Sequence, residues 1–523
     1  MLSAAPSPPS PFALYEEARR LVDRGRYAEA SQRLDAAIAQ KPDFAEAFSL
    51  GGFILERGGR TEAAQRFYGR AVEMRPDLAA AWLNLGKLLT RQTRFVEALG
   101  ALDRGLTLAP QDADAHNTRS AALRGLWRLD EAAEAARRAL KLRPKFPEAA
   151  VNLGTALFKA GRCAEALAAY QKAEKLRRDY GDAICGQALS LRALGRLEDA
   201  RAAFDRAVAL GCREAVSGRG CLDLMLGRFA EGWEGYEARW VDGKSLAEAL
   251  GVRYPLWRGP QARERVLVLN DHGLGDTIQF ARYLPLMREA GAEPHFLCPA
   301  KMHGLIGPLA EGRIYEREPL DVAFDSQIAI SSLPRAFGTR LDTIPAATPY
   351  LHPEPARVAR WADHIGGGGF RVGCVWQGSA NPEADIGRSY PLRELAPLAA
   401  APGVRLISLQ KGFGEEQLFQ NPGFAVERLP PDFDFGGQAF LDTAAAMASL
   451  DLVVTCDTSI AHLAGALGRP VWVALKSDSE WRWLRGRDDS PWYPTARLFR
   501  QSEAGDWGSV FAAMAAALTA SRT

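Results

Sequence analysis

Prolines stand at positions 42, 76, 110 and 144, each 34 residues after the one before. Ala30, Ala64, Ala98 and Ala132 precede them at a constant offset, and the series continues as Ala166 and Ala200. Ala37, Ala71, Gly105 and Ala139 do the same at a shorter offset, continued by Ala173 and Ala207. A fixed period of this length is the mark of stacked helix pairs. The small residues are needed where the two helices of a pair cross closely. The proline ends the second helix, because its ring and missing N–H cannot continue the ladder.

The turn inside each pair repeats as well, as Gly25-Arg26, Gly59-Arg60, Gly161-Arg162, Gly195-Arg196 and Gly227-Arg228. Together these positions spell tetratricopeptide repeats at about 11–44, 45–78, 79–112, 113–146, 147–180 and 181–214, with a shortened seventh ending at 240. The expectation is an α solenoid over 11–240, preceded by a disordered segment, 1–10. Such stacks form a groove that binds peptides or proteins. Asn84 and Asn152 share one position on the first helix of repeats three and five. An amide there can pair with the backbone of an extended ligand, or simply follow the Asn-Leu-Gly common in these repeats.

A chain of 523 residues outgrows one core, so further domains are expected. The formal net charge of +2 argues against a nucleic-acid binder. Seven cysteines, at 163, 185, 212, 221, 298, 374 and 456, include no C-x-x-C, which speaks against a disulfide framework or a zinc ribbon. Most lie in apolar runs, as suits a reducing compartment. Residues 1–11 lack the basic and apolar regions of a signal peptide, and no long uncharged apolar run predicts a membrane span. A cytoplasmic location is expected.

After 240 the pattern changes. Residues 241–264 read as a connector, and from 265 short apolar runs alternate with helical segments, as in α/β domains with parallel sheets. The runs are RVLVLN (265–270), HFLC (295–298), QIAISSL (327–333), RVGCVWQG (371–378), VRLISLQ (404–410), DLVVTC (451–456) and PVWVAL (470–475). An amphipathic helix follows the first of them. Glycines 366–369 separate two lobes, 265–365 and 366–501, both Rossmann-like and facing a cleft, and 502–523 reads as a helix closing the pair. Gly273-x-Gly275 is a poor dinucleotide fingerprint, since position 278 is Ile and the second strand ends in Cys298-Pro299 without an acidic residue.

The repeats, joined to GLGDTIQFARYLP (273–285), SLPRAFGTRLDTIPAATPYL (332–351), GRSYPLRELAPLAAAPGVRLISLQKG (387–412), DLVVTCDTSIAHLAGALGRPVWVAL (451–475) and WRWLRGRDDSPWYPTARLFRQ (481–501), resemble bacterial glycosyltransferases that join such repeats to a heptosyltransferase-like region of GT-B type. The architecture is also similar to the modular flagellin glycosyltransferases. The resemblance implies sugar transfer from a nucleotide-sugar donor to Ser or Thr of a protein acceptor such as flagellin, by inversion and without a metal.

It also implies site residues. Asp276, in the Gly-Asp element beside Gly273, Gly275 and His272, matches the proposed base, which takes the proton of the attacking hydroxyl. Read alone, Asp276 with Gln279 makes a helix cap. Asp457, Thr458 and Ser459 open a helix straight after a strand, where free N–H groups suit a phosphate. The resemblance puts Asp457 near the sugar or ribose; His462, one turn on, is a donor contact or a packed histidine. Arg388 and Lys411, at strand ends, are candidate counter-charges for the leaving nucleotide. Gln377, Gly378 and Ser379 sit at a strand tip within reach of it. The loop around Arg388 departs from the family pattern, which leaves the donor's identity open. Trp481, Trp483, Trp492 and Tyr493 read mainly as packing. Asp432-Phe433-Asp434 and Asp271-His272 are too little for a metal site. Two alternatives remain: a non-catalytic adaptor, and a saccharide transferase of the lipopolysaccharide kind.

Overall fold

The computed structural model describes residues 9–239, 254–260, 263–319 and 321–522. The first eight residues, residue 240 at the end of the expected solenoid, and 241–253 and 261–262 of the expected connector lie outside these. The chain forms two compact units, one ending at Ser190 and the other running from Leu191.

The first unit is a run of helix pairs. Its helices begin with Pro11–Asp23 and Tyr27–Gln40, then Ala45–Arg57 and Thr61–Met74, and continue through Ala79–Arg91, Phe95–Leu108, Ala113–Gly125, Leu129–Leu142, Pro147–Lys159 and Cys163–Leu176. Each periodic alanine is fully buried. Where the series reads Gly105, a methyl group would come within 2.3 Å of Leu83, so glycine is required at that crossing. The turn glycines 25, 59 and 161 have positive φ, and Thr93 and Trp127 adopt the same left-handed conformation in the two repeats that lack the glycine. The helix Gly181–Ala193 spans the division between the units.

The second unit begins with helices Leu197–Ala209, Arg213–Met225 and Phe229–Tyr236, which complete the repeat pattern, and continues into two α/β lobes. The first lobe holds a four-stranded parallel sheet of β1 (Arg265–Leu269), β2 (Glu293–Leu297), β3 (Ile314–Tyr315) and β4 (Ser326–Ala329), in the order β3-β2-β1-β4. Val266 pairs with Pro294 on one side and Ser326 on the other. The second sheet has six parallel strands: β5 (Phe370–Val375), β6 (Val404–Ser408), β7 (Glu427–Arg428), β8 (Leu452–Cys456), β9 (Val471–Leu475) and β10 (Ala496–Arg500). Their order is β10-β9-β8-β5-β6-β7. All five residues of β8 and all five of β9 are buried, as in a parallel sheet covered on both faces.

Several expectations need correction. The run 327–333 is a strand only as far as Ala329; Ile330–Ser332 turns into a 3-10 helix, where Ser331 hydrogen-bonds to Asp271. The single helix expected after β1 is two, Leu274–Ala281 and Tyr283–Glu289. Between them, buried Arg282 donates to the carbonyls of Gln279, Pro345 and Trp492. The described end of the connector is part of the first lobe, with Trp257 buried and its N–H bonded to Gln327 on β4. The last helix, Trp507–Arg522, packs Val510, Phe511, Met514 and Leu518 into the second lobe's own core. No described helix is long and apolar enough to cross a membrane.

Candidate functional site

Ligands of open parallel sheets bind at the carboxyl ends of the strands, where the strand order reverses. In the first lobe that point lies between β1 and β4; in the second, between β5 and β8. The two strand-to-helix junctions at these points touch each other. A methyl group on Gly275 would stand 2.9 Å from His462 and 3.4 Å from the Ser459 backbone, so this approach needs glycine.

On the first side, β1 runs through the loop 270–273 into helix Leu274–Ala281. The helix is capped at Gly273, in extended conformation, and Asp276 is its third residue. The Gly273 N–H donates to Asp276 Oδ2 at 3.2 Å. The expected Asp276–Gln279 capping pair does not form, because the helix starts earlier; Gln279 instead accepts from Arg482 Nε at 3.0 Å. The other oxygen of Asp276 is paired with Arg482.

On the second side, β8 leads through Asp457 to helix Ser459–Ala466, with Thr458 as N-cap and its hydroxyl accepting from Ile460 N–H. Asp457 is buried and accepts from Trp483 Nε1 at 2.8 Å. Burial, with Glu480 close by, pushes its carboxyl up to about 6. His462 is buried, bonded to Tyr493 through Nδ1 at 3.0 Å and stacked on Trp483. Burial, then Arg482, pushes its imidazole down to about 3, so it is neutral at neutral pH. Across the junction, Gly378 lies against Thr458; its N–H and the Gln377 amide both donate to Ser389. Ser379, one residue on, is exposed and caps Asn381.

Around this junction stand cations. Arg388 is 3.8 Å from Glu480, and Arg482 Nη1 donates to the same carboxylate at 2.6 Å. Burial opposes the charge on Glu480, but Arg482 and Arg388 outweigh it and hold its carboxyl below the usual range. Lys476, at the end of β9, donates to the Ile386 carbonyl at 3.0 Å beside the Arg388 loop. Its ammonium is pushed down by burial. Lys411 does not join the group: it is exposed and reaches the Pro431 carbonyl at 3.5 Å. The ends of β8 and β9 are adjacent, whereas β6 is two strands away from β8. Lys476, Glu480, Arg482 and Tyr236 were not singled out from the sequence. The available signal was the charged stretch Lys476–Arg482 directly after an apolar strand.

The remaining candidates have structural partners. His272 Nε2 is 2.8 Å from the hydroxyl of Tyr236, and Asp271 is paired with Arg239, so the loop 270–273 is fastened to the end of the last repeat. Asp434 caps helix Leu441–Met447 through the Asp442 N–H, and Asp432 pairs with Arg360. Trp481 and Trp492 are buried, with Trp481 packed on Trp233 and Tyr236. In the first unit Asn152 donates to Asn117 at 2.7 Å, and Asn84 is half-buried.

Comparison with known proteins matches the tetratricopeptide-repeat family model at residues 15–64, 52–113, 122–182 and 185–247. The chain therefore carries tetratricopeptide repeats, followed by an α/β region. It is similar to Protein FlbA of Caulobacter vibrioides, with 32% identity over 326 residues, 57% of this chain and 54% of FlbA. The chain thus spans about half the length of that relative. Among solved structures, MamA from Desulfovibrio magneticus RS-1 is 22% identical, covering 32% of this chain and 96% of its own, with a TM-score of 0.30. PilW, a type IV pilus biogenesis factor, is 20% identical over 38% of this chain and 92% of its own, with a TM-score of 0.36.

Proposed function

We propose that the chain is an inverting, metal-independent glycosyltransferase of GT-B type. It moves a sugar from a nucleotide-sugar donor to a Ser or Thr hydroxyl of a protein recruited by the repeats, flagellin being the acceptor class its architecture fits. The observation that carries this reading is the meeting of two strand-to-helix junctions at the switch points of two parallel sheets. One brings Asp276, the other a helix start with Asp457, Thr458 and nearby cations.

In this reading the acceptor oxygen attacks the anomeric carbon while Asp276 takes its proton, and the bond from that carbon to the donor phosphate breaks. The departing phosphate gathers negative charge. The first turn of helix Ser459–Ala466, with Arg388 and Lys476, faces that charge with N–H groups and cations. Asp457, with its raised carboxyl, repels a phosphate less than an ordinary aspartate would.

The test is nucleotide release from a panel of UDP-, GDP-, ADP- and CMP-linked sugars, with and without flagellin. Release from one donor, accelerated by the protein acceptor, is expected. Asp276→Asn should lower the rate by about 10²- to 10⁴-fold, the usual contribution of a general base. Full activity in that variant, or no turnover of any donor, would refute the assignment.

A further inference from the structure

Arg482 is buried, yet it reaches both lobes. From the 3-10 turn Trp481–Trp483 of the second lobe, its guanidinium pairs with Asp276 and donates to Gln279 Oε1 at 3.0 Å, both on helix Leu274–Ala281 of the first. Its remaining terminal nitrogen donates to Glu480 at 2.6 Å. The guanidinium carbon lies 4.3 Å from the centre of the Trp481 ring, which is itself held by Trp233 and Tyr236. All three nitrogens are therefore directed, and the plane of the fork is fixed by the ring beneath it.

We propose that Arg482 is a positioning residue for Asp276, orienting its carboxylate across the lobe boundary toward the bound donor. This rests on the reading of Asp276 as the base. The Gly273 N–H, at 3.2 Å, holds one carboxylate oxygen and leaves the carboxylate free to swing about that contact. The arginine holds the other oxygen and so sets the direction of the group. Asp276 comes from the first lobe and the donor helix start from the second, so a rigid contact between them sets the distance the proton acceptor keeps from the reacting centre. A displacement of the order of 1 Å costs roughly 10²-fold in rate.

Glu480 completes the arrangement. When Asp276 takes a proton, its charge disappears, and a buried guanidinium with no other partner would be left uncompensated at a high cost. Glu480 remains ionised beside Arg482, so the charge stays balanced through the transfer. Sharing the arginine between two carboxylates also keeps it from neutralising Asp276 alone. Tyr236 and Asp457 act on Arg482 as well, and Arg388, His462 and Lys476 act on Glu480.

A double-mutant cycle tests the assignment, using hydrolysis of the donor panel with water in place of the acceptor. Arg482→Gln should lower kcat by about 30- to 100-fold while the donor KM changes less than about threefold, because orientation and not binding is lost. Arg482→Lys should recover part of the rate. On an Asp276→Asn background, Arg482→Gln should cost less than about threefold more, since residues acting as one unit are not additive. Losses that multiply in the double variant, a loss carried by KM, or a lysine no better than glutamine would each overturn the proposal. If Arg482→Gln fails to fold, the same cycle is run with Arg482→Lys and read by the same non-additivity. Full activity in Asp276→Asn would instead count against the base, which separates the two failures.

Discussion

Asp457 and His462 lie on the same strand-to-helix junction, and burial shifts them in opposite senses. The Asp457 carboxyl is pushed up to about 6, so between its ordinary range and that value the folded protein keeps a proton that the unfolded chain has lost. Its stabilising contribution is present at low pH and is lost as pH rises through about 6. His462, pushed down to about 3, behaves the other way: the unfolded chain takes up a proton that the folded state refuses, so stability is lost as pH falls from the ordinary histidine range toward 3. From about pH 4 to 6 the two slopes oppose each other. Asp457→Asn removes one of them. The stability of this variant relative to the parent should therefore rise by about 2 kcal/mol between pH 4.5 and 7. Chemical denaturation at the two pH values measures it, and a constant difference would mean that Asp457 is ionised as usual. Neither shift is legible in the sequence. CDTSIAH shows an aspartate and a histidine near a helix start, but not that Trp483 and Tyr493, from a later segment, bury them.

At the scale of elements, the repeats were legible because their close crossings demand small residues, which then recur at a visible period. The second unit was legible only where an apolar run filled a whole strand. Two-residue edge strands such as β3 and β7 carry no pattern, and β10, with two arginines among its five residues, is not among the apolar runs that read as strands. The most demanding crossing is in the last repeat. A methyl group on Gly220 would come within 2.5 Å of the backbone at Gly235 and Tyr236, and backbone cannot yield as a side chain can. Gly220→Ala should destabilise the protein by about 1–3 kcal/mol, the usual cost of overpacking. Gly69 and Gly100 lie within helices Thr61–Met74 and Phe95–Leu108 with open space where a methyl would go. Alanine there should stabilise by about 0.5–1 kcal/mol, because glycine loses more backbone entropy in a helix. Thermal melts of the three variants decide it; equal effects would show that crossing geometry does not set the cost.

At the scale of the molecule, the repeat pattern and the folding unit do not end at the same residue. The sequence places the end of the repeats at 240, where the motifs stop. Yet the helices Arg213–Met225 and Phe229–Tyr236 share the unit of the α/β lobes. Trp233 donates to the Thr339 carbonyl at 2.8 Å and packs on Trp481; Tyr236 meets His272; Arg239 pairs with Asp271, whose side chain is fully buried. A period in the sequence reports what each repeat needs from its neighbours, and says nothing of what the last one packs against. A fragment beginning at 241 would expose Trp481 and leave the Asp271 carboxylate buried without its cation, at a cost of roughly 3–5 kcal/mol for the ion pair alone. That loss is comparable to much of a domain's net stability. A fragment beginning at Gly181 keeps every one of these contacts. The longer fragment should therefore melt cooperatively and release nucleotide from the donor panel without an acceptor, whereas the shorter one should aggregate or melt without cooperativity. If the fragment beginning at 241 folds and turns over the donor as fast as the longer one, the last repeat is an appendage, and the division at 240 read from the motifs is the physical one.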